Sequence, residues 1–157
     1  MLRALPLLLL ASCAVSSRWN VSHHNLGSQK SSYLVHQLEN HYTGIQLEFL
    51  RIGEKVQAFL YVNSKGMNKE DSPSVSLMFS MEEKTWEGKA FVYEGGQKFK
   101  LDEESTQTLL EALLEKKSLT IQFDRYEETI DGSQFGEKYQ KWIKDPIPWG
   151  SFLKKMF

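Results

Sequence analysis

The spacing of the hydrophobic residues changes near residue 102, and this change limits the folds open to the chain. From residue 45 to residue 101, apolar and polar residues alternate, as in "GIQLEFLRI" and "SVSLMFSM". A period of two places successive side chains on opposite faces of a strand. Residues 103–117 instead follow a period of 3.6, which is typical of an amphipathic helix. The order predicts a β-rich domain with helices late in the chain.

Turn signals and a helix cap divide this pattern into elements. Gly53-Glu54 and Gly95-Gly96 interrupt the alternation and predict two hairpins. Asp102 is the predicted N-cap of the first helix, whose apolar stripe comprises Leu109, Leu110, Leu113 and Leu114. A strand at 118–126 and a helix around 133–144 follow. The sequence therefore predicts an α+β fold: a mostly antiparallel β-sheet or β-sandwich of six to seven strands, with two helices in the C-terminal half.

Length and charge exclude several classes of protein. A chain of 157 residues suits one domain with a short appendage. The net charge of −1 gives no reason to expect a nucleic-acid partner, because phosphate binding needs a concentrated basic surface. The sequence contains no apolar window of about 18 residues, so it predicts no transmembrane helix. The single cysteine, Cys13, excludes a disulfide within the chain.

The first residues have the layout of a secretory signal. "MLRALPLLLLAS" has one basic residue, an apolar run and small residues, so residues 1–12 are the predicted signal peptide. Leu10-Ala11-Ser12-Cys13 resembles the lipobox of bacterial lipoproteins. The resemblance implies cleavage before Cys13, acyl chains such as palmitate on this residue, and anchoring in the cell envelope. By the same resemblance, Ala14 in place of an aspartate after the cysteine implies the outer membrane rather than the inner one.

Other interpretations of this segment remain open. Cys13 could instead belong to an ordinary cleaved signal, and the apolar run could be a helix packed on the fold. In a eukaryotic secreted protein, Asn20 within "NVS" would be a glycosylation site. Residues 14–32 are polar and rich in serine, so residues 13–32 are predicted to be a lipidated N-terminus and flexible tether. Residues 33–157 are the predicted globular domain.

The sequence carries no strong catalytic signature. It has no nucleophile elbow, phosphate loop, zinc motif or dinucleotide fingerprint. His23 and His24 lie in the predicted tether, and the spacing of His36 and His41 does not favour a shared metal. We therefore predict no catalytic residue, no cofactor and no metal. An enzyme that uses a pair of carboxylates, brought together by the fold, remains the alternative.

Two aromatic regions are candidates for binding. Trp86, next to Gly88, and Tyr93 form a possible ligand platform on the strand "KTWEGKAFVY", although Trp86 also fits a core position. The C-terminal segment has helical spacing of its apolar residues, with two lysines between them. It is the candidate membrane or partner contact, or else a last helical turn packed on the domain. Its residues are Trp149, Phe152, Leu153, Lys154, Lys155 and Met156.

These observations favour a membrane-anchored bacterial lipoprotein that acts as a binding or envelope-assembly module. Its expected partners are the membrane, through the lipid at Cys13, and a protein or small ligand. A secreted location is the alternative to the lipid anchor.

Overall fold

The computed structural model describes residues 18–26, 29–38, 44–52, 54–62, 73–93 and 96–145. They form one open antiparallel sheet of nine strands and two α-helices. The strands are β1 Trp19–Leu26, β2 Gln29–His36, β3 Ile45–Ile52, β4 Lys55–Val62, β5 Ser74–Met81, β6 Lys84–Val92, β7 Lys98–Leu101, β8 Leu119–Phe123 and β9 Tyr126–Ile130. The helices are α1 Glu103–Leu114 and α2 Phe135–Lys144.

Most neighbouring strands in the sheet are consecutive in the chain, but β4 pairs with β7 and β5 pairs with β8. Across the sheet the order is β1-β2-β3-β4-β7-β6-β5-β8-β9. The hairpins β3–β4, β5–β6 and β8–β9 pair along their full lengths. The α+β class, the antiparallel pairing and the two helices in the C-terminal half are confirmed. The strand count of six to seven is too low, and the nine strands of the described chain form a single sheet rather than a sandwich.

The hairpin β1–β2 corrects the prediction of a flexible tether. Both strands are eight residues long and pair along their full length. Trp19 is 1% exposed, and its indole ring lies 4.7 Å from the ring of Phe135. The polar residues of β1 fit a strand because this strand lies at the border of the sheet, where Asn20 and His23 are solvent-exposed. The folded domain therefore includes Trp19, not only residues from 33 onward.

The core lies where alternate strand residues meet the helices. Ile45, Leu47 and Phe49 of β3 are fully buried, and Phe135 of α2 packs against Phe49 at a ring distance of 5.4 Å. Asp102 caps α1, as predicted, because its carboxylate accepts a 2.8 Å hydrogen bond from the backbone N–H of Ser105. Neither described helix is long and apolar enough to span a membrane.

One residue of the predicted stripe on α1 lies outside the core. Leu109, Leu110 and Leu113 are buried, but Leu114 is 40% exposed. Ala112 takes the fourth buried position in this part of the helix. Because successive helical residues are rotated by about 100°, Leu114 falls on the flank of the stripe that Leu110 and Leu113 define.

Candidate functional site

The sheet has a gap where β7 ends, and the first turn of α1 enters it. β7 has four residues and lies between β4 and β6. Beyond Leu101, the hydroxyl of Ser105 accepts a hydrogen bond of 3.3 Å from the backbone N–H of Lys89 in β6. The hydroxyl of Thr106 accepts one of 3.4 Å from the backbone N–H of Ala58 in β4. The hydroxyls of Ser105 and Thr106 thus extend the hydrogen-bond ladder of β7 by one position, Ser105 on the β6 side and Thr106 on the β4 side.

β6 extends farther than its neighbour β7. β7 pairs with Ala90, Phe91 and Val92 of β6. The next residue, Lys89, donates its backbone N–H to the Ser105 hydroxyl, and its carbonyl accepts a 2.9 Å hydrogen bond from the N–H of Asp102. No described strand pairs with residues 84–88 on this side. We call these five residues the free edge of β6.

Strand geometry shows which backbone groups face outward at the free edge. The backbone of Lys89 points away from β5, toward α1, because its N–H and its carbonyl bond to Ser105 and Asp102. Every second residue of a strand directs its N–H and C=O to the same side. Glu87 and Thr85 therefore present their backbone groups along the edge, where no hydrogen bond from a described residue reaches them.

A polar cleft of about 480 Å³ lies between the free edge of β6 and α1. β6 contributes Trp86, Glu87, Gly88 and Lys89, and α1 with its cap contributes Asp102, Glu104, Ser105 and Thr108. Ser74 and Ser76 of β5 complete its lining. The cleft is open to solvent along the strand, and hydroxyl and carboxylate groups dominate its surface.

Gly88 allows β6, α1 and the core to approach one another. A Cβ atom at Gly88 would lie 2.2 Å from Cε2 of Phe79 and 2.7 Å from the Ser105 hydroxyl. Both distances are shorter than a van der Waals contact, so any other residue would displace the aromatic ring or the helix. The absent side chain therefore sets the position of the wall that α1 forms.

Trp86 lines this cleft, but it does not form a joint platform with Tyr93. The Trp86 ring stacks on Phe79, its partner across β5–β6, at 5.5 Å between centroids. Tyr93 is 49% exposed and makes an edge contact with Phe59 at 5.7 Å. The two aromatic residues are an odd number of positions apart on an extended chain, so they lie on opposite faces. The indole N–H of Trp86 is buried and has no hydrogen-bond partner in the described chain.

The cleft carries an excess of negative charge. Three carboxylates, of Glu87, Asp102 and Glu104, line it together with one cation, Lys89. The Lys89 ammonium lies 5.6 Å from the centre of the Phe91 ring. The N-terminus of a helix adds about half a positive charge. Three negative charges against roughly one and a half positive charges leave the cleft acidic.

The carboxylic acid whose pKa is raised by burial lies elsewhere. Burial raises the pKa of Glu128 on β9, while Arg18 and a backbone hydrogen bond from Ile45 oppose this shift. Glu128 lies beside Gly44, not in the cleft. Within the described ranges, no group of three or more His, Cys, Asp or Glu side chains could hold a metal ion.

The other predicted site residues lie outside the described residues. They are Cys13, the proposed point of lipid attachment, and the C-terminal candidates Trp149, Phe152, Leu153, Lys154, Lys155 and Met156. Sequence reasoning singled out Trp86 and Gly88 but missed Glu87, Glu104 and Ser105 as neighbours in one cleft. The available signal was the unequal length of two adjacent strands, since the short "KFKL" runs directly into a helix cap.

Comparisons with protein-family models, with curated proteins and with solved structures found no match to this chain.

Proposed function

We propose that the chain is a bacterial lipoprotein, anchored through Cys13, whose folded domain acts as a binding or envelope-assembly module. The observation that carries the binding role is the acidic cleft between the free edge of β6 and α1. It combines outward-facing backbone groups, hydroxyls and carboxylates with the half-buried ring of Trp86. In a binding site, polar groups of this kind fix the orientation of a ligand, and Trp86 adds an apolar surface beside them.

The position of β1 limits how far such an anchor holds the domain from a membrane. Trp19 is buried in the core, and six residue steps separate it from Cys13. At most about 3.5 Å per residue, this chain reaches roughly 20 Å. A lipid on Cys13 would therefore keep the domain close to the bilayer, and a partner in the envelope would meet it there. The outer membrane remains the proposed location.

Catalysis by a pair of carboxylates has less support. The carboxyl group of Asp102 is engaged as the cap of α1, and the cleft is polar and open to solvent. A general acid that works near neutral pH usually needs burial to raise its pKa. Burial raises the pKa of Glu128, which does not line the cleft. The described residues therefore favour binding over catalysis.

Metabolic labelling with radioactive palmitate tests the anchor. We expect the full chain, expressed in a bacterium that processes lipoproteins, to incorporate label and to sediment with membranes. Cys13→Ala should abolish both properties, whereas Ser17→Ala, a matched change nearby, should leave them intact. Equal label in the wild type and Cys13→Ala would disprove lipidation at this residue.

A further inference from the structure

We propose that the cleft receives an extended, positively charged polypeptide segment of another protein, which pairs with the free edge of β6 as an added strand. This inference rests on the proposed function only in that the domain acts by binding. It does not depend on the lipid anchor. The site consists of the backbone of Glu87 and Thr85, with the side chains of Glu87, Asp102 and Glu104 around it.

The backbone of β6 supplies the register for such a strand. β7 pairs with Ala90–Val92, and the backbone of Lys89 is bonded to Asp102 and Ser105, so no described residue pairs with residues 84–88 on this side. Glu87 and Thr85 each direct an N–H and a C=O to that position. An extended peptide that adds to a sheet edge uses these groups for affinity and places alternate side chains in flanking pockets.

The cleft also has the shape that this mode of binding requires. One wall is the strand edge and the other is α1, whose Glu104 and Thr108 lie one helical turn apart along it. Gly88 permits this helix to approach β6, and Trp86 provides an apolar surface between the walls.

Charge selects the kind of peptide. The cleft has three carboxylates against one lysine and the partial charge of the helix end. A lysine or arginine on alternate residues of the bound segment would lie beside Glu87 or Glu104. An acidic segment would meet repulsion at the same positions, so the complementary occupant is basic.

The test measures fluorescence anisotropy with the folded chain and a labelled peptide. The probe is a fluorescein-labelled heptapeptide of alternating lysine and valine, and the matched control peptide has glutamate in place of lysine. We expect saturable binding of the basic peptide only. N-methylation of alternate peptide backbone nitrogens should abolish binding to the unchanged protein, because it removes the donors that pair with β6.

Two variants of Glu87 separate the backbone from the charge. Glu87→Pro removes the outward N–H at a strand edge, where proline is tolerated, and should weaken binding about tenfold. Glu87→Ala keeps the N–H and should weaken binding about threefold, as should Glu104→Gln. The melting temperature of each variant shows that it is folded.

Each outcome decides between the occupants. Equal affinity for the basic and the acidic peptide, or for the N-methylated and the plain peptide, overturns the inference. So does a concentration-dependent dimer of the wild type that Glu87→Pro abolishes, because the edge would then belong to a second copy. A failure here leaves the palmitate result unchanged, so the anchor and the peptide site are tested separately.

Discussion

The guanidinium of Arg51 donates a 2.7 Å hydrogen bond to the backbone carbonyl of Trp142 at the end of α2. It also donates to the carbonyls of Ile143 and Asp145. Arg51 is 7% exposed, and no described carboxylate forms an ion pair with it. The carbonyls at the C-terminus of a helix carry partial negative charge, so they stabilise this buried cation in place of a carboxylate. β3 thereby holds the end of α2.

Replacement of Arg51 by methionine should destabilise the fold by about 2–4 kcal/mol. The change removes the donor to the carbonyls of Trp142, Ile143 and Asp145, which then lose this partner among the described residues. Urea unfolding, followed by tryptophan fluorescence, measures the free energy of unfolding. Lys55→Met, an exposed change at the start of β4, is the control and should have little effect. Equal stability of the two variants would show that the contacts to α2 contribute nothing.

His36 should make the fold sensitive to mild acid. The side chain is fully buried against Trp19, and neither ring nitrogen has a described hydrogen-bond partner. Burial, with a smaller contribution from Arg18, lowers the pKa of His36 to about 4, and Asp131 opposes this shift. Between pH 6.5 and about 4 the unfolded chain binds more protons at this residue, so stability falls as the pH falls. The loss is about 3 kcal/mol.

Unfolding measured from pH 7 to pH 4 checks this expectation. His36→Phe keeps an aromatic ring but does not titrate, so its stability should depend less steeply on pH than that of the wild type. His23→Phe changes an exposed histidine on β1 and should keep the wild-type slope. A wild-type slope in His36→Phe would exclude His36 as the source of the acid sensitivity.

Sequence patterns predict local elements well and their neighbours poorly. The alternation in β3 predicted a strand with one apolar face, and Ile45, Leu47 and Phe49 are indeed buried. The same period places Arg51 on this face, but its partner lies 91 residues later in the chain. β1 escaped prediction because its polar residues match an exposed strand and a loop equally well.

The cleft depends on relationships that no local pattern contains. It exists because β7 lies between β4 and β6 and ends earlier than β6 does. The sequence shows that Gly88 lies near Trp86 on one strand. The close approach of Ser105 to Gly88 depends instead on the position of α1 in the fold. Strand order and helix position are set by the packing of the whole domain, not by the period of a segment.

Gly88→Ala should destabilise the fold by about 1–3 kcal/mol, because the new methyl group would overlap Phe79 and Ser105. Gly136→Ala is the matched change, since a Cβ there meets only the Leu114 carbonyl at 4.0 Å. Gly136 lies in α2, where alanine is the better helix former, so that variant should gain about 0.4–1 kcal/mol. Thermal unfolding of both variants gives the comparison. If the melting temperatures of the two variants shift in the same direction, the close packing at Gly88 is contradicted.

The hydroxyl of Thr106 should stabilise the junction between α1 and β4 by about 1 kcal/mol. It accepts hydrogen bonds from the N–H of Ala58 at 3.4 Å and from the side chain of Gln57 at 3.3 Å. Thr106→Val removes this acceptor at nearly constant volume and leaves a buried N–H without a partner. Thr108→Val is the control, because it has the same cost in helix propensity and its hydroxyl bonds only within α1. If urea unfolding gives the same loss of unfolding free energy for both variants, the hydrogen bond from the Ala58 N–H to the Thr106 hydroxyl does not stabilise the fold.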